Sequence, residues 1–224
     1  MSMIFGADSI FPSNTRLTNG YTLYDWVMRM NCFPAFWGRN ISGENQIKED
    51  EVNFLKEKDC RIALIIRHLS EIDVSKNNGE TDALEAAERA KALNVPDDGS
   101  IALFVDIHDD WTVNHNWMIG FAKTLSENGY VPGFIGNTGS SKNLGFNHRH
   151  GHFANAAKDD REYGALYWAT EPKLDGEPSD WSPFFPSDFT ADKISVWRTG
   201  TVSVNDISAN ADYIRDESIL KYFL

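Results

Sequence analysis

The chain has 224 residues, with 21 Lys and Arg against 33 Asp and Glu, a formal net charge of −12. No basic field is available to hold a phosphate backbone, so nucleic acid and anionic membranes are poor candidate partners and neutral or cationic ones are favoured. With 42% hydrophobic and 12% aromatic residues the chain can build a large core, yet no apolar run approaches the roughly 20 residues that span a bilayer, and Met1 to Asp8 lacks the parts of a signal peptide.

Short apolar runs alternate with helical stretches at the spacing of βα units. Met3 to Asp8 and Phe33 to Arg39 read as the first two strands, followed by a helix from Glu49 to Lys58 and a strand from Arg61 to His68. The clearest helix is Thr81 to Leu93. Ala83, Leu84, Ala86, Ala87, Ala90 and Leu93 form one stripe, with acids Glu80 and Asp82 at its start and Asn94 and Pro96 at its stop. A strand from Ser100 to His108, a helix from Asn114 to Asn128 and a strand from Tyr130 to Asn137 follow. Next come a helix near Phe153 to Glu162 and a strand from Gly164 to Thr170.

Glu171 to Asp192 breaks the rhythm, with Pro172, Pro178, Pro183, Pro186, Trp181, Phe184 and Phe185 and no period. A segment of this kind is either a binding loop or lid, or an insertion packed outside the barrel. Lys193 to Arg198 and Thr201 to Asp206 read as strands seven and eight, leaving Ile207 to Leu224 for a last helix that is short or missing. The expectation is a single α/β domain over residues 1–224, a slightly irregular (β/α)8 TIM barrel with a long loop after strand six. Cys32 and Cys60 are too few for a disulfide scaffold and are expected as free thiols.

Each strand finishes in a polar or ionisable group: Asp8, Arg39, Arg67 with His68, Asp106 with His108, Asn137, Glu171, Arg198 and Asp206. Such an arrangement suits a site at the C-terminal mouth of a barrel. Residues two apart share a face, so Ala102, Phe104, Asp106 and His108 face the lumen together, opposite Leu103, Val105 and Ile107. The same parity pairs Gly6 with Asp8, and Trp37 with Arg39. Several carboxylates and arginines among many aromatics suit glycoside chemistry, in which one carboxyl protonates the leaving oxygen and another assists at the anomeric carbon. Trp37, Trp111, Tyr167, Trp168, Trp181 and Trp197 lie at or just after strand ends, where they either stack on sugar rings or pack in the core.

The run Gly79-x-x-Asp82-Ala83-x-x-Ala86-Ala87-x-x-Ala90-x-x-Leu93-Asn94-x-Pro96, followed by Ile101 to Asp106, resembles the fourth βα unit of glycoside-hydrolase-like TIM-barrel domains. That family is related to the family-25 lysozymes. Phe5 to Ser9, Phe36 to Asn40, Gly129-Tyr130 with Gly133, Trp168-Ala169 and Asn205-Asp206 resemble its other strands in order. The resemblance implies a lysozyme-like hydrolase acting on peptidoglycan or another amino-sugar glycan, with a glycan or muropeptide as partner and no cofactor.

In family-25 lysozymes the fourth strand ends in an aspartate followed two residues later by a glutamate, the general acid. Asp106 matches the first of these, whereas His108 stands at the second. Glu171, His108 and Asp109 are the candidates to replace the missing acid. The expected catalytic carboxylates are therefore Asp8, Asp106, Glu171 and Asp206. Arg39, Trp37, His108, Asp109, Trp111, Asn137, Trp168, Trp181 and Arg198 are expected to bind substrate. A barrel that keeps the cleft but has lost its acid would instead be a carbohydrate-binding protein. His148, His150 and His152 alternate, and with His108, Asp106 and Asp109 would form the site of a metal-dependent hydrolase, a third reading. An ion-pair network that merely neutralises the mouth is the structural alternative for Asp8, Arg39, Arg198 and Asp206.

Overall fold

The computed structural model describes residues 3–30, 32–139, 163–185, 190–204 and 207–224. Eight strands close into a barrel: β1 (Ile4–Asp8), β2 (Phe36–Asn40), β3 (Arg61–Ile66), β4 (Ala102–Asp106), β5 (Val131–Gly136), β6 (Leu166–Ala169), β7 (Ile194–Val204) and β8 (Ile207–Ile214). Five α-helices lie among the described residues: α1 (Leu23–Arg29), α2 (Glu49–Glu57), α3 (Glu71–Val74), α4 (Glu80–Ala92) and α5 (His115–Glu127). Strands β1 to β7 pair in parallel, whereas β8 runs antiparallel to both β7 and β1. The fold is thus a mixed α/β closed barrel rather than a regular (β/α)8 repeat.

The end of the chain corrects the expected strand order. The segments expected as strands seven and eight belong to one strand, β7, and the true eighth strand is Ile207–Ile214, where a short last helix was expected. Thr199-Gly200 reads as a break, but the register shift between Arg198 and Gly200 is a bulge that lets the strand continue. The segment assigned to β8 has weak apolar character, yet β7 and β1 both offer it a ladder. The fourth helix read from the sequence, Phe153 to Glu162, and the residues His148, His150, His152 and Asp206 lie outside the described residues.

Two apolar layers hold the barrel. Ala63, Ile65, Ala102, Phe104, Ile135, Trp168, Val196 and Ile214 fill the lumen, and Phe36 and the C-terminal Phe223 close its lower end. Phe223 lies 5.0 Å from Phe36, and Trp168 meets Phe104 edge to face at 5.5 Å. Alternate strand residues such as Leu64, Ile66, Leu103 and Val105 face the helices. A side chain at Gly133 would collide with the ring of Phe104, so glycine here admits the large lumen aromatic. The motif Gly79-x-x-Asp82 also has a packing role. Gly79 sits against the backbone of Trp117 and Phe121, and Asp82 accepts a hydrogen bond from Trp117 Nε1 at 2.7 Å, locking α4 to α5.

Cys32 and Cys60 are free thiols, and Cys60 is buried. No helix among the described residues is long and apolar enough to cross a membrane.

Candidate functional site

Alternation places the polar ends of the lumen-facing rows at one mouth. Asp8 is paired with Gly38, so the inward row of β2 is Phe36, Gly38 and Asn40, and the outward row is Trp37 and Arg39. Arg39 therefore stands behind the barrel. Its Nε donates to Glu51 of α2 at 2.7 Å, and its remaining nitrogens donate to the carbonyls of Ser9, Ile10 and Asn45. Trp37 is wholly buried against Tyr24, at 5.6 Å. Neither residue lines the mouth cavity, where the sequence placed them.

Arg67, with Arg198, supplies the guanidinium groups at the mouth. It donates through Nε to Asp106, through Nη1 to Asn40 and through Nη2 to Asp8, each at 2.8 Å. Arg198 Nη2 donates to both oxygens of Asp8, at 3.0 and 2.8 Å, and lies 4.0 Å from Asp106. Asn210 of β8 adds a bond to Asp8 at 2.7 Å. Asp8 is thus fully buried with both oxygens engaged. Burial pushes its pKa up, but Arg198 and Arg67 reverse the effect and hold it below the usual carboxylate value.

A second acid, Asp212 on β8, is also fully buried. Its Oδ1 accepts from Trp168 Nε1 at 3.2 Å and lies 3.7 Å from Arg198 Nε. Among the described residues, Asp212 Oδ2 has no hydrogen-bond partner. Burial, then the charge of Asp8, raises the pKa of Asp212 well above the ordinary value, and the opposing pull of Arg198, the Trp168 hydrogen bond and Arg67 offsets this only in part. Trp168 serves the lumen core and this carboxyl, not a sugar face.

The two acids act oppositely on stability. Asp8, with a lowered pKa, contributes stability above the ordinary carboxylate value that is lost as pH falls through its folded pKa. Asp212, with a raised pKa, keeps a proton that the unfolded chain has released, so stability falls as pH rises from the ordinary value toward its folded pKa. In Asp212→Asn the second slope should vanish. The melting temperature of the variant should lack the decline that Asp212 imposes on the wild type between about pH 5 and about pH 8. Parallel curves for the two proteins would show that Asp212 is not protonated in the folded state.

Above this network opens a cavity of about 440 Å³ lined by Asp106, Ile107, His108, Asp109, Asp110, Thr170, Lys173, Arg198, Gly200, Thr201 and Asn210. Strand β4 ends at Asp106, and the chain turns over His108 to Trp111, with Trp111 N donating to His108 O at 3.2 Å. That turn brings Asp109 to the cavity, where its carboxylate accepts from Asn137 Nδ2 at 3.0 Å. His108 stacks on Trp111, with ring centroids 4.5 Å apart.

Glu171 turns back on its own loop, accepting the Lys173 amide at 3.1 Å, and does not line the cavity although both Thr170 and Lys173 do. Trp181 packs edge to face on Trp197 behind β7, and its Nε1 donates to Ala191 O at 3.0 Å. The proline-rich loop therefore contributes Lys173 to the mouth and packs Trp181 outside the barrel.

The sequence reading missed Asn210 and Asp212 and left Arg67 without a role. The alternation Asn210, Asp212, Ile214, two apart like the lumen rows of the other strands, was the available signal. Among the described residues, no cluster of three His, Cys, Asp or Glu side chains is placed to hold a metal ion.

No family model and no curated protein matches the sequence. Solved structures do resemble the fold. An uncharacterised protein of B. stearothermophilus superposes with a TM-score of 0.77 at 21% identity, covering 99% of this chain and 100% of that one. The Tat-secreted protein Rv2525c of Mycobacterium tuberculosis, in complex with L-tartrate, gives 0.61 at 12% identity over 97% and 98% of the two chains. A bacterial lysozyme from Streptomyces coelicolor gives 0.54 at 11% identity over 99% and 97%. At these identities the likeness is one of fold.

Proposed function

We propose that the mouth cavity binds a glycan and that the protein is a lysozyme-like glycoside hydrolase, with Asp106 as its catalytic carboxylate. One observation carries this reading: Asp106 lines the cavity, while Asp8 and Asp212 are sealed beneath it. Arg67 anchors one Asp106 oxygen at 2.8 Å and fixes the direction in which the carboxylate faces the cavity. Asp109, held by Asn137 on the same cavity wall, takes the acid role that the sequence assigned to Glu171. In this chemistry Asp109 gives its proton to the leaving oxygen as the glycosidic bond breaks. Asp106 either activates water or attacks the anomeric carbon, depending on the separation of the two groups.

An amino-sugar polymer such as peptidoglycan is the substrate class supported by the family resemblance and by the lysozyme among the similar folds. Such a substrate would put the protein outside the cytoplasm, as the Tat-secreted neighbour is. The second reading, a glycan-binding barrel without turnover, draws on the stacked pair His108 and Trp111 at the position where the resembling lysozymes carry their acid.

Wild-type protein should release reducing ends from peptidoglycan or chitooligosaccharides. Asp106→Asn should lower that rate by about 100- to 10,000-fold while affinity changes by less than about threefold, since the amide keeps the shape and removes the charge. Binding without release by the wild type at any pH between about 4 and 8, where carboxylates and histidine titrate, would favour the second reading.

A further inference from the structure

The cavity walls differ in charge. Asp106, His108, Asp109 and Asp110 line the β4 side, whereas Thr170, Lys173 and Arg198 line the side formed by β6 and β7. Ala169 pairs with Trp197, so Thr170 and Arg198 are the next neighbours along these two strands, both following the lumen parity of Trp168 and Val196. Thr170 is only 8% exposed, and among the described residues its Oγ1 has no hydrogen-bond partner. The oxygen is itself closed to solvent, so a ligand that satisfies this unpaired hydroxyl does so by displacing the side chains over it. Arg198 directs Nη2 to Asp8 and Nε towards Asp212, and Nη1 takes part in neither contact. Lys173 adds an exposed ammonium above them.

We infer that Thr170, Lys173 and Arg198 form a carboxylate subsite, so that the ligand of this cavity is a sugar carrying an acid group. The inference rests on the glycan reading for the sugar and on these three residues for the acid. A carboxylate offers two acceptor oxygens, and the three residues offer a hydroxyl, a guanidinium N–H and an ammonium to meet them. Among the described residues the opposite, β4 wall carries carboxyl groups and no Lys or Arg, so an anion is oriented towards Thr170, Lys173 and Arg198. The net charge of −12 disfavours anions at long range, but screening confines that effect to about 8–10 Å at physiological salt, while the subsite acts at contact.

The test compares D-glucuronate with D-glucose, and N-acetylmuramate with N-acetylglucosamine, by calorimetry or ligand-observed NMR. Succinate serves as a carboxylate without a sugar. Each acidic sugar should bind about tenfold more tightly than its neutral partner, with the advantage shrinking as salt is raised. Thr170→Val and Lys173→Gln should each remove most of that advantage and leave the neutral sugars unchanged. Thr170→Val should also keep the wild-type melting temperature, because it deletes a hydroxyl that bonds nothing in the fold. A strongly destabilised Thr170→Val would show that the hydroxyl has an internal partner and would overturn the subsite. Neutral sugars that bind as well as acidic ones would overturn the subsite and leave the glycan reading standing. Succinate binding that depends on Thr170 and Lys173, with no sugar bound, would keep the subsite and overturn the glycan reading. Binding by none of the probes would overturn both.

Discussion

Replacing Asp8 with alanine is expected to cost about 3–5 kcal/mol, as when one partner of a buried ion pair is removed. Asp8 sits at the centre of the mouth, fully buried, taking bonds from Arg67, Arg198 and Asn210. Without it two guanidiniums remain close together, with Asp106 beside Arg67 at 2.8 Å and Asp212 one layer deeper in the lumen. The change also removes the negative charge that contributes to raising the Asp212 pKa. Asp212 should then ionise and recover part of the loss, and the alkaline decline in stability described above should flatten. Urea denaturation across the pH range reads both effects. A loss below about 1 kcal/mol would mean that the network is solvated and that Asp8 is not its keystone.

Glu51→Ala should be comparably damaging, although Glu51 does not line the mouth cavity. Its carboxylate is 2% exposed, and Arg39, which donates to it at 2.7 Å, is 0% exposed. The same oxygen accepts the Ser13 amide at 2.6 Å. Truncation leaves a buried guanidinium and a buried amide without their acceptor, at a cost again of about 3–5 kcal/mol. For a chain of this length that is a fall in melting temperature of about 6–20 °C. A double variant, Arg39→Leu with Glu51→Leu, should recover only the part of the loss that comes from the uncompensated charge, because the Ser13 amide and the carbonyls of Ser9, Ile10 and Asn45 then lack their partners. Glycan binding per folded molecule should be unaffected in both variants. Weakened binding with stability intact would restore Arg39 to the substrate site.

Arg39 and Arg67 show where local reading stops. Both end strands, and both look equally suited to the mouth. Parity within β2 correctly joins Trp37 to Arg39, but which face is inward depends on the register against β1, where Asp8 lies beside Gly38. A one-residue difference in register exchanges the faces, so Asn40 reaches the lumen and Arg39 the helices. Glu171 and Asp109 differ for a related reason. The end of a strand says where a side chain starts, but the turn that follows decides where it goes.

What the sequence determined by itself was the set of strands β1 to β6, the helices α2, α4 and α5, and the inward row ending in Asp106. Those features are periodic within a single segment, and periodicity is a local property of side-chain direction. Tertiary structure alone decided the antiparallel closure by β8, the burial of Asp8 and Asp212, and the replacement of Arg39 by Arg67 at the mouth. Each depends on a neighbour distant in the chain: β8 is held by ladders from β7 and β1, and the charge of Asp212 is set by residues 8, 67 and 198. Such pairings are energies between segments, and no single stretch of sequence contains them.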